Sequence, residues 1–418
     1  MSEAAITEEV RALYEKYPFP GPYASEKPPQ LDGMTSYTYV CYQAFREYRS
    51  HQGRRILDAG CGTGETLRRY ALNNPGATLV GFDLSQASLD LAAEKLGRVE
   101  GVEWHLEQRD LLELAPPKEP FDLVSCTGVL HHLADPLKGL RNLVPYLKRD
   151  GIFAIYLYSA YARREIEMAA EIIRMLCGPQ ESMDKRIDVA RRFFRGLPAG
   201  HFLLDQAKFE TDVRDWIERD EHLADMYLHP REINYTFDMV LELLDGAGLE
   251  IVRFYDEEAW DLERLLPDED LRRRTMFMSR RQKYRLADLL HPRPSYIFMA
   301  RHKAYTPSRT VGDVPLISPV AAWVTRRPAV ARPSIPPDTM IEVLGFAHRS
   351  YRLDGDAVEA LALCDGARTV DEVADARAAA TGADVATARK INRTLFTTLE
   401  KQGIVLMKPK EASPGTGI

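Results

Sequence analysis

The stretch Ile56-Leu57-Asp58-Ala59-Gly60-Cys61-Gly62-Thr63-Gly64-Glu65 decides the fold of this chain. It begins with apolar residues, passes through three alternating glycines and continues into a helical pattern. Glycine lets the backbone turn sharply and lets a ligand approach it closely, so the stretch predicts a buried strand that ends at a ligand-binding turn. By itself it also fits a simple tight turn. The spacing is not that of a triphosphate-binding loop, because no Gly-Lys-Ser/Thr follows.

Six further apolar runs surround this strand and alternate with helical stretches such as Leu84–Leu96 and Pro136–Leu147. The predicted strands are Arg55–Asp58, Ala77–Asp83, Val102–Leu106, Phe121–Cys126, Gly151–Leu157, Leu249–Phe254 and Tyr296–Ala300. Alternation of this kind is typical of an α/β fold whose parallel sheet is covered by helices. The sequence therefore predicts a seven-stranded sheet.

Two acidic residues follow neighbouring predicted strands. Asp83 ends the second strand, where its carboxylate can accept both hydroxyls of a ribose, and Asp110 follows the third strand, where it can bond an adenine amino group. Open parallel sheets bind ligands at the carboxyl ends of their strands. Both acids are therefore candidate ligand-binding residues at that edge.

These residues, together with the run 127–136 after the fourth strand, resemble class I S-adenosylmethionine-dependent methyltransferases with a Rossmann-like sheet. The alternative is an unrelated doubly wound fold with a fortuitous turn. The resemblance implies S-adenosylmethionine as the cofactor. It implies that the glycine loop contacts the methionine part, the strand-two acid the ribose and the strand-three acid the adenine. The implied cofactor-binding residues are Asp58, Gly60, Gly62, Gly64, Asp83, Leu84, Asp110, Leu111, Thr127 and Gly128.

An aromatic segment precedes this domain, and 14–20 resembles the Tyr-Glu-x-x-Pro-Tyr-Pro segment of a bacterial group of methyltransferases, from which it departs at Phe19. We predict that residues 1–50 form an N-terminal arm and lid. Tyr14 and Tyr17 are candidates to face the sulfonium, because a cation is attracted to an aromatic ring face. The alternative is an arm that only packs on the domain.

Candidate catalytic residues follow the fourth and fifth strands. His132 is the preferred base of the pair His131-His132, because imidazole titrates near neutrality. Tyr158 is the preferred pocket residue at the end of strand five. Hydrogen-bonded structural roles are the alternative for both. The helical insertion 160–227 is expected to cover the acceptor site. No metal is predicted, because no cluster has ligand spacing.

The C-terminal part of the chain has a different texture. Many prolines in residues 304–337 predict a linker, and residues 338–410 predict a small α+β domain before a tail at 411–418. Leu363 to Glu372 resembles the pattern of PqqD-type winged-helix domains, which implies binding of a precursor peptide along a strand edge. The alternative is a dimerisation or structural module. Residues 51–303 are the predicted methyltransferase domain.

Composition limits the function. The chain has 418 residues, a net charge of −7 and five widely spaced cysteines. These features, with no long apolar run and no apolar leader, predict a cytoplasmic protein without membrane or nucleic-acid partners. The first hypothesis is a methyltransferase for a peptide or protein acceptor. The alternatives are a small-molecule methyltransferase of a biosynthetic pathway, whose C-terminal domain is structural or oligomerising, and a non-enzymatic cofactor-binding regulator. The acceptor atom and the oligomeric state do not follow from the sequence.

Overall fold

A computed structural model describes residues 2–21, 33–178, 180–204, 216–307, 312–319, 321–323, 340–344 and 348–410. The chain forms two compact units. The first comprises 1–28, 53–71 and 76–305, and the second comprises 29–52, 72–75 and 306–418. In the described residues no helix is both long and apolar enough to cross a membrane.

The first unit contains a seven-stranded sheet, as predicted. Its strands are β1 (Arg55–Ala59), β2 (Thr78–Asp83), β3 (Glu103–Gln108), β4 (Phe121–Thr127), β5 (Leu147–Tyr158), β6 (Leu249–Phe254) and β7 (Ser295–His302). Their order is β3-β2-β1-β4-β5-β7-β6, and β7 runs antiparallel to both neighbours. The order reverses between β1 and β4, so the carboxyl ends of these strands form the crevice in which such sheets bind ligands.

Helices connect the strands and cover the sheet. Those of the first unit are α1 (Glu3–Lys16), α3 (Glu65–Asn73, whose last residues belong to the second unit), α4 (Gln86–Leu96), α5 (Pro136–Leu143), α6 (Arg164–Leu176), α7 (Met183–Gly196), α8 (Asp220–Tyr227), α9 (Phe237–Gly246), α10 (Leu262–Leu265), α11 (Glu269–Thr275) and α12 (Arg280–Leu290). Side-chain caps fix where two of them begin, because Ser85 caps α4 and Asp135 caps α5. A shared core of apolar residues lies between the sheet and helices α5, α9 and α12.

The insertion predicted at 160–227 forms its own small core. Helices α6, α7 and α8 pack together around buried Ile173, Phe194 and Leu223. Leu13 of helix α1 and Tyr17, which caps the end of this helix, join the same cluster. The arm and the insertion are therefore packed against each other, which brings residues far apart in sequence onto one side of the sheet.

The second unit consists of two small sheets and four helices among the described residues. The strands are β8 (Val314–Ile317), β9 (Ala321–Trp323), β10 (Met340–Leu344), β11 (His348–Arg352) and β12 (Val405–Lys408). The helices are α2 (Tyr37–Phe45), α13 (Gly355–Ala362), α14 (Val370–Thr381) and α15 (Val385–Lys401). The sheet orders are β11-β10-β9 and β12-β8. Helix α14 begins after Thr369 with a capping box, in which the Thr369 and Glu372 side chains each accept a hydrogen bond from the other's backbone N–H.

This unit departs from the sequence expectation in two places. Strands β8 and β9 lie inside the segment 304–337, which we expected to be a linker. Val314 of β8 is buried. Pro315 is tolerated in β8 because this strand pairs with a single described strand. Helix α2 lies inside the segment 1–50, which we expected to be an arm of the methyltransferase domain. Its Tyr39 and Tyr42 are buried in the core of the second unit, because their apolar rings pack against residues near the end of the chain.

Candidate active site

A cavity of about 430 Å³ opens at the carboxyl ends of β1, β2 and β4 in the first unit. Most of the predicted site residues line it. Those that do are Tyr14, Asp58, Gly60, Gly62, Asp83, Leu84, Asp110, Leu111, Thr127, Gly128, His132 and Tyr158. The parallel strands bring these residues together because their carboxyl ends lie at one edge of the sheet.

Two predicted residues, Gly64 and Tyr17, lie outside the cavity wall. A Cβ on Gly64 would lie 2.7 Å from that of Ala92, so this glycine allows close packing against helix α4. The Tyr17 hydroxyl donates a hydrogen bond to Asp184 of the insertion. The alternation of aromatic residues in the arm does not distinguish Tyr14 from Tyr17. Which of the two rings faces the cavity depends on the orientation of helix α1.

The glycine loop has a specific steric reason for its glycines. Gly60 and Gly62 both have positive φ angles, which side-chain-bearing residues rarely adopt. A Cβ on Gly60 would lie 2.3 Å from Val129, and one on Gly62 would lie 2.8 Å from the carbonyl oxygen of Phe19. The loop is therefore packed between the segment after β4 and the N-terminal arm.

Two buried carboxylates flank this loop. The Asp83 Oδ2 accepts a hydrogen bond from the Gly62 N–H at 2.8 Å, and its Oδ1 accepts one from the Ser85 N–H at 2.9 Å. Asp58 is hydrogen-bonded to Ser125. Its Oδ2 is sealed from solvent and has no hydrogen-bond partner among the described residues. Burial, assisted by the charge of Asp83, raises the pKa of Asp58 to about 7.

Asp110 has a second, structural function. Its Oδ1 accepts a 2.8 Å hydrogen bond from the Leu112 N–H and so caps the short 3₁₀ turn after β3. This cap fixes the position of Leu111, which is buried and also lines the cavity. The turn thus presents one acidic and one apolar side chain to the same end of the cavity.

The N-terminal arm lies directly over the glycine loop. The Thr63 N–H donates to the Phe19 carbonyl at 3.3 Å, and the Lys95 Nζ donates to the Gly21 carbonyl at 3.3 Å. Ser85 Oγ donates to a Glu15 carboxylate oxygen at 2.6 Å. Since Tyr14 and Phe19 also line the cavity, the arm forms one of its walls. The described part of the arm therefore packs on the domain and also borders the cavity, and its function as a lid stays a prediction.

Of the histidine pair, only His132 lines the cavity. Its Nδ1 lies 2.9 Å from the Arg231 carbonyl oxygen, which assigns the proton to Nδ1 and leaves Nε2 as an acceptor. Burial lowers the pKa of His132 to about 4, so it is neutral near pH 7. His131 is fully buried and stacks on the Tyr158 ring at 3.8 Å, which is a packing role.

The cavity residues that were not selected from the sequence as site residues include Tyr156, Arg163 and Asp225. The Arg163 guanidinium lies 3.4 Å above the Tyr158 ring, and its Nη2 donates to Glu232 at 3.0 Å. The Asp225 Oδ1 accepts a 2.7 Å hydrogen bond from the Tyr14 hydroxyl. Charged residues are common in surface helices, so nothing in the local sequence separates these two from their solvated neighbours.

Family models match both units of the chain. A methyltransferase domain model matches residues 57–153, and a model for coenzyme PQQ synthesis protein D (PqqD) matches residues 337–405. An uncharacterized protein of Synechococcus sp. is 38% identical over 295 residues, which cover 69% of this chain and 70% of that protein. The chain belongs to the class I S-adenosylmethionine-dependent methyltransferases. The methyltransferase is thus assigned from both its sequence and the architecture of its cavity.

Further relatives agree with this family. A ubiquinone biosynthesis O-methyltransferase of Haemophilus ducreyi is 31% identical over 137 residues, covering 31% of the methyltransferase and 55% of that enzyme. The solved structure of PKMT2 from Rickettsia typhi superposes with a TM-score of 0.59 at 16% identity, covering 91% of the methyltransferase and 77% of PKMT2. That likeness concerns the fold.

The cavity of the methyltransferase fits its cofactor, S-adenosylmethionine, which supplies an electrophilic methyl group on a positively charged sulfur. The partnerless Asp58 Oδ2 could accept a hydrogen bond from the ammonium group of the methionine part. The Asp83 carboxylate accepts backbone hydrogen bonds from Gly62, Ser85 and Leu84 and keeps a lone pair that could accept a ribose hydroxyl. Side chains on Gly60 and Gly62 would crowd the loop that borders this space.

Proposed function

We propose that the methyltransferase transfers a methyl group to a peptide or protein acceptor that its second unit recognises. The observation that carries this proposal is the match of residues 337–405 to the PqqD family, because the resemblance to PqqD-type domains implies peptide binding along a strand edge. Strand β11 offers such an edge: within the described residues it pairs only with β10. An extended peptide could add to its outer side through main-chain hydrogen bonds.

The proposal includes the cofactor-binding residues. Asp58 and the loop glycines Gly60 and Gly62 hold the methionine part, Asp83 with Leu84 holds the ribose, and the turn at Asp110 and Leu111 holds the adenine. Thr127 and Gly128 close the cavity at the end of β4, and Tyr14 closes it from the arm. In this proposal Gly64 and Tyr17 support the site without contacting the cofactor, because their described contacts are with Ala92 and Asp184.

Methylation of a small molecule is the second candidate. The similarity to ubiquinone biosynthesis O-methyltransferases favours it, although the matched segment covers only 31% of this chain. A nucleic-acid-binding regulator is not supported. Arg389 and Arg393 on helix α15 form ion pairs with Asp375 and Asp371 at 2.7 and 2.6 Å, so their charge is compensated within the unit.

The test is to incubate the full chain with methyl-labelled S-adenosylmethionine and a cell extract separated into peptide and small-molecule fractions. We expect label in the peptide or protein fraction. Label confined to small molecules would contradict the proposal and favour the second candidate.

Two variants of β11 test the strand edge, namely Arg349→Pro and Ser350→Pro. Successive N–H groups of a strand point in opposite directions, so one proline removes an N–H that pairs with β10 and the other an N–H that points outward. We expect the proline that removes the outward N–H to leave the melting temperature unchanged and to abolish peptide labelling. Full labelling by that folded variant would contradict binding at β11.

A further inference from the structure

Asp225 is a buried acidic residue that belongs neither to the glycine loop nor to the ends of the strands. It lies on helix α8 of the insertion, is 4% exposed and lines the cavity of the first unit. Its Oδ1 accepts the hydrogen bond from Tyr14, whereas Oδ2 accepts none from any described residue. The carboxylate therefore has one fixed oxygen and one oxygen available to a ligand.

Among the described residues no cationic side chain forms an ion pair with Asp225. The nearby Arg163 is already paired with Glu232 at 3.0 Å, so that pair is neutral as a whole. The titratable and charged groups that interact with Asp225 are Tyr14 of α1, Tyr156 and Tyr158 of β5, Arg163 before α6 and Glu232. Burial raises the pKa of Asp225 to about 6, so it is largely ionised near pH 7. A buried anion costs free energy unless a cation accompanies it.

We propose that Asp225 is the catalytic base of the methyl transfer and that its Oδ2 accepts the proton of an acceptor O–H or N–H group. In this step the electron pair of the acceptor atom forms the bond to the methyl carbon. The sulfur–methyl bond breaks and leaves its electron pair on sulfur, while the acceptor proton moves to Asp225. The positive charge on sulfur and the negative charge on Asp225 disappear together, so no net charge remains buried.

His132 is less suited to the same task. If Nε2 accepted a proton, His132 would carry a positive charge close to the Arg163 guanidinium. Burial and this neighbouring charge both disfavour the imidazolium form. His132 also stacks on His229 at 3.8 Å, and its Nδ1 is fixed by the Arg231 carbonyl. These contacts suit a wall residue. The inference rests on methyl transfer itself and not on the peptide nature of the acceptor.

The first test needs no acceptor and compares the affinities for S-adenosylmethionine and S-adenosylhomocysteine, which differ in the sulfonium charge. We expect the wild-type protein to bind the cation, S-adenosylmethionine, more tightly than S-adenosylhomocysteine. Asp225→Asn should lower this ratio of affinities by about tenfold, which is the effect expected of one partly screened charge nearby. In the wild type the preference should weaken below about pH 6, where Asp225 is protonated. Tyr14→Phe should move this midpoint to higher pH, because its hydrogen bond stabilises the carboxylate.

Asp220→Asn is the matched control, since it removes an exposed carboxylate at the start of the same helix α8 and outside the cavity wall, and it should leave the preference unchanged. An unchanged preference in folded Asp225→Asn would overturn the proposal. So would a preference that does not depend on pH in the wild type, because the carboxylate would then not face the sulfonium.

The second test uses two surrogate acceptors at high concentration, phenol and iodide. Phenol must lose a proton on methylation and iodide has none to lose. We expect Asp225→Asn to slow transfer to phenol by about 100-fold or more and not to slow transfer to iodide. Equal loss with both surrogates would overturn the role as a base. Failure of peptide labelling would contradict the proposed function and leave both of these measurements unaffected.

Discussion

Asp83 illustrates at the scale of one residue how a proposed binding group is also a structural group. Its carboxylate accepts backbone hydrogen bonds from Gly62 and Ser85, so it holds the glycine loop while remaining open to a ribose. We expect Asp83→Ala to weaken binding of S-adenosylhomocysteine by about 1.5–3 kcal/mol, because charge-assisted hydrogen bonds are lost. Calorimetry measures this, with Glu107→Ala on the exposed end of β3 as the control. Unchanged affinity in a folded Asp83→Ala would contradict the assignment.

Gly62 shows that the arm and the loop depend on each other. A Cβ there would lie 2.8 Å from the Phe19 carbonyl, so Gly62→Ala should displace the arm and weaken binding of S-adenosylhomocysteine. Gly53→Ala is a matched control: Gly53 has a similar positive φ of 66°, and a Cβ there meets nothing within 4 Å. Both variants carry backbone strain of about 1 kcal/mol, and only Gly62→Ala adds the contact. Equal affinities in the two variants would show that the contact with Phe19 is unimportant.

At the scale of elements, helix α1 is the wall that completes the cavity. Glu15 attaches it to the start of helix α4 by accepting hydrogen bonds from Ser85 Oγ and the Ala87 N–H. We expect Glu15→Ala to loosen the arm and to speed dissociation of S-adenosylhomocysteine by about two- to fivefold, since an exposed charged hydrogen bond contributes about 1 kcal/mol. Stopped-flow dissociation rates measure this. Glu8→Ala, on the same helix, should leave the rate unchanged; equal acceleration by both would count against an anchoring role for Glu15.

At the scale of the whole molecule, the second unit is assembled from both ends of the chain. Tyr42 of helix α2 donates a hydrogen bond to Glu400, and the Met407 N–H donates to the Tyr42 hydroxyl at 3.1 Å. We expect Tyr42→Phe to lower the free energy of unfolding of this unit by about 1–3 kcal/mol, because the Met407 N–H loses a buried hydrogen bond and Glu400 loses a partly buried one. Denaturant unfolding measures it, with Tyr48→Phe at the edge of the same core as the control. Equal stability of the two variants would contradict the prediction.

Because the second unit is assembled from both ends of the chain, a truncation of the C-terminal residues alone would not isolate the first unit. Ending the chain after Lys303 would remove the residues that bury Tyr39 and Tyr42, so we expect the shortened protein to expose an apolar face and aggregate. A truncation that isolates the methyltransferase activity must therefore also replace residues 33–52. Light scattering of the two shortened proteins, with and without that replacement, checks this expectation.

The sequence alone determined the fold of the first unit and the family. Strand β1 with its glycine turn, Asp83 and Asp110 are local signals, because each follows directly from residues adjacent in the chain: an apolar run, a positive-φ turn and an acid at a strand end. The strand positions were predicted to within a few residues for the same reason. The caps at Asp135 and Thr369 are likewise local, since a capping side chain lies within three residues of the N–H it binds.

Only the tertiary structure decided the rest of the site and the composition of the second unit. Asp225 and Arg163 acquire their significance from burial and from partners such as Tyr14, which is 211 residues away from Asp225. Tyr14 and Tyr17 are equivalent in the sequence and separate only when helix α1 turns one ring toward the cavity and the other toward Asp184. Helix α2 lies near the N-terminus and yet belongs to the C-terminal unit. Burial and long-range pairing depend on which surfaces meet in three dimensions, and no local pattern encodes that.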